Sequence, residues 1–156
     1  MERNALTGIA RGSMLAGIAF ASSGLGAVHG IAHPAGSIMG IPHGVCCAVL
    51  LPAVLQYNLP ACREKFAELA AGLDFASPEE LISEVIRLRR ELALPENFTS
   101  FGFKEEYIPF IVKNCRSGSM RCKYILRGTQ CSLPGERITF ARQETFQRLG
   151  QSVKSA

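Results

Sequence analysis

No segment of this chain alternates apolar and polar residues with the period of two that a half-buried strand needs, while several carry helix signals, so the expected fold is all-α. The clearest signal is Ser77-Pro78-Glu79-Glu80, with a serine placed to cap, proline at the first helical position and a glutamate three residues after the serine. Leu81, Val85, Leu88 and Leu92 follow as one apolar stripe, with Arg87, Arg89 and Arg90 expected outside it. Asn4 to Ala21 is rich in alanine and glycine and lacks proline. Its glycines lower helix propensity, so it is expected to be held by close packing on neighbours. Gly24 and Gly26 then punctuate the chain before a helix carrying His29. His43 to Leu55 reads as an apolar helix interrupted at Pro52, Ala61 to Leu73 as a more amphipathic one closed by Gly72, and Lys104 to Lys113 as a short last helix.

Length and composition allow a globular domain and narrow its class. At 156 residues and 47% apolar content the chain is long enough to bury a core, which argues against global disorder. The six cysteines have no disulfide-framework spacing, and adjacent Cys46 and Cys47 sit in an apolar run where thiols behave as small hydrophobes. Met1-Glu2-Arg3-Asn4 does not lead into a secretory signal, so a cytoplasmic location is expected. Up to Cys115 there are nine basic and eleven acidic residues, and beyond it eight basic against two acidic. That basic excess comes without a groove-reading motif or a repeated aromatic pattern, so no nucleic-acid partner is expected.

All three histidines, His29, His33 and His43, fall in one short window of small, uncharged residues. Neutral imidazole is both a common metal ligand and a proton carrier near neutral pH. His29 and His33 are four apart, and share a helical face with Cβ atoms about 5–6 Å apart. Gly36, Gly40 and Pro42 let the chain turn, so that His43 can approach the same point from a second segment. Gly26, Gly36 and Gly44 are expected to permit close backbone approach. A zinc-protease reading fails, because His-Glu-x-x-His needs a glutamate where this chain has Gly30.

The segments Gly24-Leu25-Gly26-Ala27-Val28-His29-Gly30-Ile31-Ala32-His33-Pro34, Ile41-Pro42-His43-Gly44-Val45 and Leu50-Leu51-Pro52 resemble the iron-dependent alcohol dehydrogenases, in the branch of lactaldehyde reductases and butanol dehydrogenases. The likeness runs from about Asn4 to about Met120, and includes Tyr57-Asn58 and Asn114-Cys115-Arg116-Ser117-Gly118-Ser119-Met120. It implies the helical bundle that forms the C-terminal domain of that dehydroquinate synthase-like fold. In the family the metal is held by one aspartate and three histidines, of which His29 and His43 match the last two. His33 matches a histidine near the nicotinamide that helps to move the alcohol proton. Fe2+, or Zn2+ in some members, polarises the substrate oxygen, and hydride passes between a small alcohol or aldehyde and NAD(P).

The resemblance also implies what to look for upstream of this pattern. The aspartate, the first histidine and the NAD(P) domain of the family precede it, and the chain has neither an Asp-x-x-x-His pair nor a Gly-rich phosphate loop after an apolar strand. The expectation is therefore a fragment of such an enzyme, with residues 1–120 a partial metal-binding domain, inactive alone and completed by a missing N-terminal domain or by homo-oligomerisation. A face normally covered by that domain would leave an apolar patch and promote self-association. After Met120 the text departs from the family. Residues 121–156 read as a divergent basic tail, disordered or frameshifted, with a short helix from Phe140 to Leu149. Two other classes stand beside the enzyme. One is a catalytically dead helical assembly module with weak or no metal binding. The other is a membrane protein, set aside because the uncharged stretch from Gly12 to Ala32 is rich in serine and glycine.

Overall fold

The computed structural model describes residues 3–115, and within them every regular element is a helix. In chain order these are α1 (Arg3–Ser23), α2 (Ala27–Met39), α3 (His43–Gly72), α4 (Pro78–Glu91) and α5 (Ile108–Asn114), with single 3-10 turns at Thr99–Phe101 and Glu105–Tyr107. The expected tail, including its short helix, lies outside the described residues.

The corner between α2 and α3 organises the rest. Pro34 is accommodated inside α2, which ends where Gly40 takes a left-handed conformation at φ 66°. That residue can reverse the chain without the Cβ clash another residue would meet. Ile41 then donates its N–H back to the Gly36 carbonyl at 3.1 Å, and Pro42 leads straight into α3 at His43. Apolar side chains from both helices close the corner. Ala32, Ile41, Cys46, Val49, Leu50 and Phe98 form the buried cluster, flanked by Phe101 and Phe103 from the loop before α5.

Other elements pack on this corner or stand away from it. α3 runs through Pro52 and Pro60 and is broken at Cys62, where φ is −128°. The break thus falls ten residues later than the expected one at Pro52, because burial of Pro52 and Val54 holds that turn in the helix. Past the break, Arg63 pairs with Glu79 at the start of α4. Ser77 caps α4 by accepting from the Glu80 N–H at 3.1 Å, and the Glu80 carboxylate accepts from the Ala76 N–H at 2.7 Å.

The face of α4 differs from the expected stripe. Leu88 and Leu92 are 44% and 68% exposed, whereas Ile82 and Arg89 are buried. The helix is rotated by about one position, so the arginine stem covers apolar surface while its Nη1 donates to the Glu96 carbonyl at 3.2 Å. Lys104 to Lys113 also divides differently, into the 3-10 turn at Glu105–Tyr107 and then α5.

α1 departs furthest from expectation. None of its residues is buried, and Leu6, Ile9, Met14, Leu15, Ile18 and Phe20 are all exposed. The close packing expected for this helix is not supplied by the other described residues. Both α1 and α3 are long and apolar enough to cross a membrane, a test that core helices of soluble proteins also pass.

Candidate metal centre

His29 and His33 project from one face of α2, a single turn apart, while His43 is the first residue of α3. Because the Gly40 turn folds α3 back beside α2, the three rings meet. Their centroids are 5.3 Å apart for His29 and His43, 5.0 Å for His33 and His43, and 6.3 Å for His29 and His33. The cluster opens to the surface, with His33 and His43 exposed and His29 half-buried. Burial, then the neighbouring His43 and His33, holds the His29 imidazole below its ordinary range. At neutral pH it is therefore uncharged and has a lone pair to offer.

The fourth member of the cluster is Cys47, one turn along α3 from His43, with Sγ 3.5 Å from His43 Nε2. Among the described residues, the potential ligand atoms of His29, His43 and Cys47 all lie within 4.8 Å of one another. Donors around a tetrahedral zinc are about 3.3–3.8 Å apart, so the set is slightly open and small side-chain rotations would close it. Two imidazoles and a sulfur suit a divalent transition metal better than a hard oxygen-seeking ion. His33 belongs to the ring cluster but stands outside this set of three.

Sequence reasoning overlooked Cys47 by grouping it with Cys46 as an apolar filler. That description fits Cys46, which is fully buried in the core. Cys47 is only half-buried. A signal for it was present in the spacing His43-x-x-x-Cys47, which repeats on α3 the four-residue interval of His29 and His33 on α2.

The glycines differ in their roles. A Cβ on Gly36 would sit 3.0 Å from the Ile41 carbonyl oxygen and 3.3 Å from Cys46 Sγ, so close approach is required there. Among the described residues, a Cβ on Gly44 would meet nothing within 4 Å, so close approach is not required there.

Comparison with known proteins gives these features a lineage. Residues 2–124 match the C-terminal domain of the Fe-containing alcohol dehydrogenase family. The chain belongs to that family. Similar proteins include the 1,3-propanediol dehydrogenase of Klebsiella pneumoniae, 39% identical over 67% of this chain and 29% of that protein. The lactaldehyde reductase of Escherichia coli K12 is 34% identical over 72% of this chain and 31% of that protein. Among solved structures, an alcohol dehydrogenase from Oenococcus oeni superposes with a TM-score of 0.66 at 32% identity, covering 90% of this chain and 35% of the other. This family member thus spans less than a third of the length of the curated relatives it matches. The family is one of metal-dependent oxidoreductases, and the all-helical fold is that of its C-terminal domain.

Proposed function

We propose that this chain supplies the metal-holding helical part of an NAD(P)-linked alcohol or aldehyde oxidoreductase, with His29 and His43 as metal ligands and His33 as proton carrier. The observation that carries this reading is the convergence of three imidazoles from two helices on one open corner. Family membership adds the reaction class, since its relatives include a 1,3-propanediol dehydrogenase and a lactaldehyde reductase.

In that role each group has a distinct task. His29 and His43 would hold a ferrous or zinc ion, which would supply Lewis-acid polarisation of the substrate oxygen, and NAD(P) would supply the hydride acceptor or donor. His29 and His43 offer imidazole nitrogen donors from α2 and α3. His33, exposed beside them, is placed to pass the alcohol proton to solvent through an imidazole nitrogen. The Gly40 turn holds the two helices so that these tasks meet. We assign nicotinamide binding to a domain outside this chain, present on a separate polypeptide or a longer one.

Metal content of the chain purified under reducing, anaerobic conditions tests the reading. Stoichiometric iron or zinc, lost in both His29→Ala and His43→Ala, supports it; metal retained at full stoichiometry in both variants overturns it.

A second reading, a helical assembly module without catalysis, is favoured by one observation. α1 presents six large apolar side chains to solvent, and none of its residues is buried among the described residues. Such a face drives association. A soluble monomer that binds no hydrophobic dye would count against it.

A further inference from the structure

The cluster at the α2–α3 corner holds a donor that the two-histidine assignment leaves unused. Cys47 offers a sulfur within 4.8 Å of nitrogens of both His29 and His43, and its Sγ faces His43 Nε2 at 3.5 Å. The three donors come from two helices tied by the Gly36–Ile41 turn, so they are fixed relative to one another by buried structure. Two nitrogens and one sulfur fall within the nitrogen and sulfur ligand set that zinc takes, and three protein donors leave a fourth position open.

We propose that Cys47 is a third protein ligand, completing with His29 and His43 an open thiolate site that selects zinc over ferrous iron. This rests on the proposed ligand role of the two histidines and extends it. The physical ground is softness, because a thiolate favours zinc and other soft or borderline ions, whereas the oxygen donors of a carboxylate favour harder ones. A third ligand also changes what the chain can do by itself. Two imidazoles alone hold a metal weakly, while three donors leave one position for water or a substrate oxygen. On binding, the thiol gives its proton to solvent and the sulfur lone pair forms the metal bond.

The test uses the full chain, stripped of metal, titrated anaerobically with Co2+ and then challenged with Zn2+ or Fe2+. Co2+ bound by sulfur shows an intense near-ultraviolet thiolate-to-metal charge-transfer band, which imidazole ligands alone do not produce. The expected result is one Co2+ per chain with that band, displaced by Zn2+ and not by equal Fe2+. Cys47→Ser and Cys47→Ala should each lose the band and weaken Zn2+ binding by at least roughly tenfold, the lower end of the cost of losing even a ligand's hydrogen-bonding neighbour. Cys46→Ala should keep the band. Circular dichroism checks that each variant retains its helices.

The failures separate cleanly. Co2+ bound in a histidine-dependent way without the band, and with unchanged affinity in Cys47→Ser, overturns the cysteine ligand and leaves the histidines standing. A band that needs Cys47 but survives both His29→Ala and His43→Ala overturns the three-donor site, the histidine assignment included. No Co2+ or Zn2+ bound at all overturns the three-donor site, since three fixed donors should hold metal where two imidazoles do not.

Discussion

Gly36 in α2 and Ile41 beyond the turn are joined by a hydrogen bond from the Ile41 N–H to the Gly36 carbonyl, 3.1 Å long. The same pair is so close that a Cβ on Gly36 would sit 3.0 Å from the Ile41 oxygen and 3.3 Å from the buried Cys46 sulfur. The histidine cluster depends on this contact, because it sets where α3 begins relative to α2.

Gly36→Ala therefore carries a sign that distinguishes packing from propensity. In an open helix, alanine for glycine stabilises by up to about 1 kcal/mol. Here overpacking should reverse the sign, destabilising by about 1–3 kcal/mol. Gly12→Ala in exposed α1, where a Cβ would meet nothing within 4 Å among the described residues, should raise helicity instead. Denaturant unfolding and circular dichroism compare the two.

Zinc should stabilise the fold if the corner holds it. A ligand at one hundred times its dissociation constant adds about 2.7 kcal/mol to a site that forms only in the folded state. Thermal unfolding with zinc and then with a chelator should show a rise and its reversal. His43→Ala should show neither.

Ser77→Ala removes the acceptor for the Glu80 N–H at the start of α4. Loss of such a cap costs about 1 kcal/mol, and Ser77→Asp should recover most of it. Urea midpoints at constant slope measure both.

Arg89 lies 93% buried with its Nη1 on the Glu96 carbonyl and its Nε without a hydrogen-bond partner among the described residues. Its stem is thus a packing element as well as a donor. Arg89→Met, which keeps most of that stem, should be less destabilising than Arg89→Ala. The difference between the two unfolding free energies measures the packing share.

Acid should weaken the end of α4. A hydrogen bond from Arg90, with its charge and then that of Arg89, holds the Glu96 carboxyl below its usual range. Folding then favours the ionised form, so the contribution is present above the unfolded-state pKa of about 4.3 and lost as pH falls through the lower folded value. Glu96→Gln should flatten that part of the stability–pH curve, and salt should diminish the effect because the pair is exposed.

Much of the helical plan was legible from local chemistry alone. The Ser77 cap, the breaks at Gly24 and Gly40, and the three histidines in one window follow from hydrogen-bonding groups and backbone freedom close by in sequence. The buried face of α4 was not, because choosing Ile82 and Arg89 over Leu88 and Leu92 depends on where α3 and Glu96 lie. The position of the α3 break was hidden for a similar reason. Proline inside a helix is costly, but packing around Pro52 and Val54 offsets the cost at the first site.

By itself, the sequence determined the helical class and the Ser77 cap, which are written in short-range spacing, and its histidine segments carried the resemblance to the family. Tertiary structure alone decided that Cys47 joins His29 and His43, and that α1 finds no cover among the other described residues. Donor atoms fourteen and eighteen residues from His29 become neighbours only when a left-handed glycine turns one helix back on another. Nothing local to either helix specifies that meeting.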